Sequence, residues 1–459
     1  MSGASSSSRS AQSLKDNGLV VEGPPWGLEK IFDYEAGGHH PLHLHDLLHG
    51  RYRVIHKLGS GGYANVWLCI DTSSTSPRYV AVKVVMAEGS TADCPEARVT
   101  RLVEVGRGQE GASPYLSLPL DQFQITGPNG THYAFVYPVL GPRVSRLAHL
   151  AKLDDPGPAL RKVCFDATQA LAILHDHRIC HGDFRPANIL SRVWGLDGLP
   201  EEEALQILGV PKTTQVVTES GESHTLESAP KYLVYPVNWE DVLAKDTEPG
   251  LQTGSACLTD FGESFEMDDP PPEVGIPQVY CSPEQALEEK VGTGSDLWAL
   301  GCTLFEIRTG RKLFDTFDDD VDECLYTIAT VLGKYPEPWW SDTWEARKDF
   351  FEDDADASGK VVDVCKESSL QSNDAAKRKG GSNAHKVVYE RAKPRSLEEA
   401  ILRGLVYESD HGPQRIQRDI STGEAKIFAD LLAKLLRYNP EDRLSASSVL
   451  QHDWFRLGI

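Results

Sequence analysis

An aspartate and an asparagine, five residues apart in the segment His181–Leu190 (HGDFRPANIL), are residue types that phosphoryl transfer requires. Asp183 can accept a proton from an attacking hydroxyl, Arg185 can neutralise a moving phosphoryl group, and Asn188 can hold a metal ion. A second motif, LTDFG, places Asp260 directly after an apolar strand, where its carboxylate can also bind a metal ion. Together the two motifs predict metal-assisted phosphoryl transfer.

Each motif also has a plainer interpretation. As surface carboxylates, Asp183 and Asp260 would be unremarkable, and HGDxxxxN alone also occurs in small-molecule kinases of the aminoglycoside phosphotransferase type. His181 is interpreted as a packed, hydrogen-bonded core histidine and not as a base or a metal ligand. The two aspartates follow predicted strands on loops, where function outweighs packing, so the joint occurrence favours catalysis.

A glycine-rich turn lies upstream, between predicted strands at 51–58 and 65–70. A turn of this composition lets backbone N–H groups approach phosphates, although an ordinary hairpin turn is the alternative. Its residues are Gly59, Ser60, Gly61, Gly62, Tyr63 and Ala64, followed by Val66. Ala64 departs from the GxGxxG pattern at its third glycine.

A lysine follows inside the β-prone run YVAVKVVM, residues 79–86. A buried, unpaired ammonium is costly, so Lys83 requires a partner such as nucleotide phosphates and a helix glutamate. The alternative is an edge-strand lysine that reaches water. Glu96, at the start of a mixed-propensity helix, is the chosen partner, and Glu88 and Glu104 compete with it.

Three further positions have a joint order that separates this chain from the aminoglycoside-type kinases. Glu284 lies in Ser-Pro-Glu, which resembles the APE motif of protein kinases, and Asp296 begins the helix DLWALG. The resemblance implies that Arg443 is the buried arginine that pairs with Glu284. Ordinary helix capping is the alternative for each.

Composition indicates which partners and which compartment to expect for the protein. The net charge of −22 argues against nonspecific nucleic-acid binding and favours basic peptide partners, although a solvated acidic surface is the alternative. Nine cysteines without a CxxC pair fit a reducing compartment. No apolar run approaches the length of a membrane span, and the Ser-rich N-terminus lacks the apolar region of a signal peptide.

These motifs resemble a eukaryotic protein kinase from about Arg51 to Phe455, and within that superfamily the SR-protein kinases (SRPK). The lead-in GGHHPLHLHDLLHGRYRVIHKLGSGGYANVWL and the long spacer after the catalytic loop are similar to that family. HGDFRPAN and YCSPE are similar to divergent SRPK-like kinases of filamentous fungi. The departures are Arg185 in place of lysine and the absence of arginines from residues 278–282.

The resemblance implies an α+β, bilobal protein-kinase-like fold, with a small β-rich N-lobe and a larger, mainly helical C-lobe. We expect a disordered tail at 1–26, the N-lobe with its lead-in at 27–141, and the C-lobe at 142–459. Insertions at about 191–256 and 353–393 are expected to be partly disordered.

The resemblance also implies the roles of the site residues, with ATP as phosphate donor and Mg²⁺ as metal. Asp183 orients the substrate hydroxyl, and Lys83, paired with Glu96, binds the α- and β-phosphates. Arg185 offsets the negative charge of the γ-phosphate. Asn188 and Asp260 bind Mg²⁺. The glycine turn covers the nucleotide. The expected adenine-pocket and hinge residues are Leu58, Val66, Ala81, Tyr137 (as gatekeeper), Val139, Leu140 and Leu190.

The favoured hypothesis is an active serine/threonine kinase, and the rival is a pseudokinase that acts as a nucleotide-binding scaffold. Ala64, Thr100 and Arg185 favour the rival, whereas the complete set of lysine, aspartates and asparagine favours activity. We expect basic, Ser-rich protein substrates, no direct nucleic-acid or membrane partner, a monomer, and a cytoplasmic or nuclear location.

Overall fold

A computed structural model of the chain describes residues 18–91, 94–107, 113–146, 150, 152–244, 252–316, 318–355, 361–363, 396–408 and 415–457. The strands are β1 (Leu19–Val21), β2 (Leu47–Leu48), β3 (Tyr52–Ser60), β4 (Ala64–Asp71), β5 (Tyr79–Val85), β6 (Asp121–Gly127), β7 (Gly130–Pro138), β8 (Leu140–Arg143), β9 (Ile179–Cys180), β10 (Ile189–Trp194), β11 (Thr213–Thr218), β12 (Tyr232–Val234), β13 (Gln252–Leu258), β14 (Phe265–Glu266), β15 (Phe351–Ala355), β16 (Val361–Asp363), β17 (Leu405–Glu408) and β18 (Arg415–Arg418). The α-helices are α1 (Pro95–Arg107), α2 (Gly157–Asp176), α3 (Glu201–Leu208), α4 (Trp239–Ala244), α5 (Pro283–Glu288), α6 (Thr293–Thr309), α7 (Val321–Leu332), α8 (Leu397–Leu402), α9 (Thr422–Leu435) and α10 (Ala446–Val449).

The chain divides into two compact units. The first contains Met1–Cys94, Ser117–Gly141 and Arg192–Gly254, and the second contains Pro95–Leu116, Pro142–Ser191 and Ser255–Ile459. The sequence-based boundaries differ from this division in two places. The insertion at 192–254 groups with the strands of the first unit and not with the C-lobe, and helix α1 groups with the second unit and not with the N-lobe.

A six-stranded antiparallel sheet, in the order β2-β3-β4-β5-β7-β6, is the core of the first unit. Successive side chains of a strand point to opposite faces, so an apolar run without alternation indicates a strand covered on both sides. Strand β5 has this pattern. Val80 and Val82 lie in a cluster with Leu42 of the lead-in, whereas Tyr79 lies in a different cluster that contains insertion residues.

The described residues of the first insertion are folded, which the sequence did not predict in detail. Strands β11 and β12 pair with each other, and helices α3 and α4 carry buried apolar residues. Ala204, Leu208 and Val242 pack with Tyr79 and Ile55 of the large sheet. Arg53 and Glu201 form an ion pair at 2.7 Å between strand β3 and helix α3. The insertion is therefore part of the core of the first unit.

Part of the segment expected to be a disordered tail is structured. Strand β1 pairs antiparallel with strand β11, with Leu19 opposite Thr218, so residues 18–26 are structured. Residues 1–17 of the expected tail lie outside the described residues, as do 356–360 and 364–395, the greater part of the second expected insertion.

Helix α6 forms the centre of the second unit. Most of its residues from Asp296 to Thr309 are buried, because helices α2 and α9 and strand β17 pack around it. A helix that is apolar on nearly all sides requires such an interior position. The helix ends at Gly310, whose φ of +68° is the left-handed conformation that favours glycine.

The eight cysteines in the described part of the chain are all buried free thiols. None of the helices described has the length and apolar content that a membrane span requires.

Candidate active site

Hydrogen bonds within the second unit bring together three predicted catalytic and metal-binding residues. The guanidinium Nε of Arg185 donates to both carboxylate oxygens of Asp183, at 2.8 and 3.0 Å. The Asn188 amide donates to the Asp183 backbone carbonyl at 2.8 Å and to Oδ2 at 2.6 Å. Because the side-chain nitrogen of Asn188 faces Asp183, the side-chain oxygen Oδ1 of Asn188 remains as a ligand atom for a cation.

A buried aspartate holds the backbone of this loop. Asp296, at the start of helix α6, accepts hydrogen bonds from the N–H groups of His181 (2.7 Å) and Gly182 (3.0 Å) and pairs with the His175 ring at 3.0 Å. Burial alone would raise the pKa of Asp296, but the bonds from His175 and the backbone hold that pKa below its ordinary value. The charged carboxylate thus fixes the two residues directly before Asp183.

His181 has the core role expected for it. Its ring is fully buried, Nδ1 accepts from the Asp183 N–H at 3.2 Å, and Nε2 donates to the Thr259 carbonyl at 3.1 Å. The ring also contacts Phe184 and Phe261, with centroids 6.0 and 5.6 Å away. Both nitrogens are used in hydrogen bonds, so His181 positions the loop and is not a base.

The carboxylate of Asp183 is tuned towards proton acceptance. Burial raises the pKa of Asp183 above its ordinary value near 3.8, and the charge of Arg185 together with the bonds from Arg185 and Asn188 opposes part of that rise. A base with a raised pKa accepts a proton more readily. Burial therefore favours proton acceptance by Asp183, and the contact with Arg185 limits this effect.

Asp260 lies next to residues that are bonded to Asn188. The Thr259 N–H and hydroxyl donate to the Asn188 carbonyl at 2.8 and 3.0 Å, and Asp260 follows with a φ of +62°. Aspartate is among the few residues that tolerate this left-handed conformation. Asp260 is exposed, while the neighbouring Phe261 is fully buried and anchors the segment in the core. The carboxylate of Asp260 is therefore accessible to a ligand.

The expected ion pair between Glu284 and Arg443 is confirmed. Both side chains are buried, and the guanidinium also donates to the carbonyls of Gly294 (2.7 Å) and Arg437 (2.9 Å). The same guanidinium lies 5.1 Å from the centre of the Trp298 ring. This network joins helices α5 and α6 to the segment after helix α9.

The glycine turn lies in the first unit between strands β3 and β4. Gly59 pairs with Val66 and Ser60 with Asn65, and the Gly61 N–H donates to the Ala64 carbonyl at 3.0 Å. A Cβ atom on Gly59 or Gly62 would meet no heavy atom within 4 Å, so the backbone there is open to a ligand. Ala64 sits in the sheet, opposite Val85 and buried, so a side chain at the third glycine position is accommodated.

The predicted adenine-pocket residues of the first unit lie on adjacent strands. Ala81 pairs with Leu68 on one side and with Tyr137 on the other, and Lys83 is opposite Val66. The remaining members of the predicted set differ in exposure: Tyr63 is exposed, Leu58, Val66 and Val139 are half-buried, Tyr137 and Leu140 are buried, and Leu190, in the second unit, is half-buried.

Glu96 has the burial that a partner of Lys83 requires, whereas its competitor Glu88 is exposed. The Glu96 side chain is 3 % exposed, in the first turn of helix α1, and a buried carboxylate needs a cation or hydrogen-bond donors. The side chain of Glu104 lies outside the described residues. Lys83 belongs to the first unit and Glu96 to the second, and their pairing stays a prediction.

Two supporting residues were not recognised from the sequence. Asp166 of helix α2 accepts the N–H of Ala256 at 3.1 Å and so supports the strand that leads to Asp260. Glu263 accepts the N–H of Gly275 at 2.8 Å within the segment that follows Asp260. Both are common carboxylates in helix or loop sequence, and only the fold shows which backbone amide each one meets.

Comparisons with known proteins agree with this geometry. The family model of the protein kinase domain matches residues 248–455. Serine/threonine-protein kinase SRPK of Physarum polycephalum is 29 % identical over 346 residues, which cover 70 % of this chain and 75 % of that protein. Protein kinase dsk1 of Schizosaccharomyces pombe is 24 % identical over 408 residues, covering 70 % and 73 %.

SRSF protein kinase 3 of Homo sapiens is 32 % identical over 163 residues, which cover 34 % of this chain but only 28 % of that protein. The kinase-domain match and these relatives, with the hydrogen-bonded Asp183, Arg185 and Asn188, define the chain as a protein serine/threonine kinase. Among such kinases it is SRPK-like.

Proposed function

We propose that this kinase transfers the γ-phosphate of ATP to serine residues in basic segments of protein substrates. The observation that carries the proposal is the bonded set of Asp183, Arg185 and Asn188. Asp183 accepts the proton of the serine hydroxyl as its oxygen attacks, and Arg185 lies beside it to offset negative charge on the transferred group. Positioning and electrostatics supply the rate enhancement.

The donor set fits Mg²⁺. Asn188 offers an amide oxygen and Asp260 an exposed carboxylate, and hard divalent cations select oxygen ligands. Bound there, Mg²⁺ would neutralise phosphate charge. Lys83 and the open backbone at Gly59 and Gly62 are the groups of the first unit assigned to nucleotide phosphates.

The preference for basic substrates is supported by exposed carboxylates after the TDFG motif and before helix α7. Asp269, Glu273 and Asp318 are exposed. Three others have structural partners: Asp268 pairs with Arg178, and Asp319 and Asp320 accept backbone N–H groups of Gln278 and Glu323. A carboxylate bonded to a backbone N–H keeps its charge, so Asp319 and Asp320 still add to the negative field.

The test compares two Ser peptides of equal length, one Arg/Lys-rich and one Asp/Glu-rich, in a phosphate-incorporation assay. We expect transfer to the basic peptide alone, with apparent affinity falling as salt rises. Asp183→Asn should nearly abolish transfer while nucleotide still binds, since the base acts on the hydroxyl. Equal turnover of both peptides would refute the substrate preference, and full activity of Asp183→Asn would refute the catalytic assignment.

The metal assignment has a separate readout. Asp260→Ala should remove the Mg²⁺ dependence of ATP affinity, measured by thermal stabilisation with and without Mg²⁺. A protein that binds ATP equally well with or without Mg²⁺ before the substitution would instead support the pseudokinase hypothesis.

A further inference from the structure

The insertion and two predicted adenine-pocket residues share one buried cluster in the first unit. Leu58 and Val139 pack against this cluster, and five of its eight buried members come from the insertion. Those five are Leu196, Ala204, Leu208, Val237 and Val242, and the sheet supplies Ile55, Leu68 and Tyr79. Partly buried Trp239 of helix α4 packs against the same cluster. Two of the residues expected to contact adenine thus pack against a cluster that comes largely from the inserted segment.

The insertion also bonds to the strand that leads into the glycine turn. Lys57 of strand β3 forms a parallel bridge with Pro236, and the Val237 N–H donates to the Lys57 carbonyl at 2.9 Å. This contact extends the hydrogen bonding of β3 beyond the six-stranded sheet. The backbone one residue before Leu58 is therefore held by residues more than 170 positions later in the chain.

The lead-in holds the same strand through side chains. The ammonium of Lys57 forms an ion pair with Glu29, and both side chains are completely buried. Glu29 also accepts the Tyr34 hydroxyl at 2.7 Å, and the Lys57 ammonium lies 5.1 Å from the centre of the Trp67 ring. At the turn itself, the Ser60 hydroxyl donates to the Gly27 carbonyl at 3.1 Å.

We propose that Val237 and the insertion cluster are positioning elements that hold strand β3 and the glycine turn in a nucleotide-ready conformation and so set the affinity for nucleotide. The inference rests on the proposed function, in which this turn binds ATP. A loop that is ordered before binding loses less conformational entropy when the ligand arrives, so its affinity is higher. The insertion then acts on nucleotide binding and leaves the base and substrate selection unaffected.

The test is Val237→Ala, with Val217→Ala as matched control. Val217 is 8 % exposed against 6 % for Val237 and lies in the same insertion, but it is a member neither of the insertion cluster nor of the cluster that contains Tyr34. We expect Val237→Ala to raise Kd for MgADP and KM for ATP by roughly fivefold. This factor corresponds to the conformational entropy lost when about one further residue must become ordered as the nucleotide binds. The kcat at saturating ATP and KM for the basic peptide should stay at wild-type values in both variants.

A second readout needs no catalysis. In the nucleotide-free protein, amide hydrogen exchange in the 57–63 peptide should be faster in Val237→Ala and unchanged in Val217→Ala. If Val237→Ala does not fold, Trp239→Leu serves instead, because Trp239 is only half-buried.

The outcomes separate the two proposals. If the wild type binds no nucleotide, the proposed function fails. If the wild type binds MgADP and Val237→Ala matches it, or both variants weaken binding equally, the positioning role is wrong.

Discussion

Arg443 donates two parallel hydrogen bonds to the carboxylate of Glu284, at 2.6 and 2.7 Å, across 159 residues of sequence. The side chain of Arg443 is fully buried and that of Glu284 is 6 % exposed. Two fixed N–H groups match two carboxylate oxygens, which is the strongest geometry for such a pair. The segment after helix α9 is therefore tied to helix α5 at the last residue of the motif Ser-Pro-Glu.

Arg443→Met should destabilise the protein strongly, since it leaves the Glu284 carboxylate buried without its cation. The expected loss is roughly 3–5 kcal/mol in the free energy of unfolding, measured by urea denaturation. Lys434→Met is the control, because the Lys434–Asp430 pair is largely exposed and should contribute at most about 1 kcal/mol. Similar losses in both variants would contradict the structural role of the buried pair.

Gly182 cannot accept a side chain. Its φ is +79°, and a Cβ atom there would overlap the carbonyl oxygen of Glu263. We expect Gly182→Ala to cost about 2 kcal/mol or more in stability and Gly182→Arg at least as much. Gly292→Ala is the control, since that backbone is extended with open space around it, and should be nearly neutral in the same denaturation measurement.

The buried position of Ser264 argues against activation of the kinase by phosphorylation of this residue. The side chain is buried, and its hydroxyl donates to the His181 carbonyl at 3.0 Å. A phosphate would need to displace this bond and would meet the acidic residues of the same segment. We therefore expect constitutive activity, with no activating phosphate in the 260–284 peptide.

Mass spectrometry of that peptide before and after phosphatase treatment, with activity followed in parallel, checks the prediction. Ser264→Ala should retain most activity and Ser264→Asp should lose it. Activation by the aspartate would show that the segment tolerates charge at this position.

The pH dependence of transfer should report the contact between Arg185 and Asp183. Activity needs Asp183 ionised, so kcat/KM falls as pH drops through the pKa of that carboxyl. Arg185 lowers this pKa, and its removal leaves the effect of burial unopposed. In Arg185→Gln the acid limb should move to higher pH.

Arg185→Lys keeps the cation and is the matched control, with an acid limb close to that of the wild type. The measurement is the profile of kcat/KM against pH for the wild type, Arg185→Gln and Arg185→Lys. An acid limb that is unmoved in Arg185→Gln would mean that Arg185 does not control the ionisation of Asp183.

The contacts of the catalytic segment are local or follow a recognised motif, so their residues could be named from the sequence. Asn188 meets Asp183 only five residues away, and the pairing of Arg443 with Glu284 was expected from the resemblance to the APE motif of protein kinases. The catalytic and metal-binding roles of Asp183, Arg185 and Asn188 stay predictions. The pairing of Lys83 with Glu96 remains a prediction.

The folded part of the insertion was not recognised from the sequence for a physical reason. Its helices and strands are short, and their apolar residues are buried in clusters that include partners distant in sequence. Ala204, for instance, packs with Tyr79, and Leu19 with Leu233. The insertion is rich in glycine, proline and acidic residues, and this composition is also typical of disordered segments. Strand β1 was missed similarly, because its three residues gain a partner only in strand β11.

The folded insertion also constrains the order in which the chain can fold during synthesis. Strands β3 to β7 are complete by residue 138, but Ile55, Leu68 and Tyr79 are covered by residues 196–242. A ribosome that has made the whole sheet has therefore not yet made the surface that buries one of its faces. Helix α2 and the HGD loop, which belong to the other unit, emerge in the interval. Until residues 196–242 emerge, the nascent sheet exposes apolar side chains on that face, and such transiently exposed surface favours aggregation.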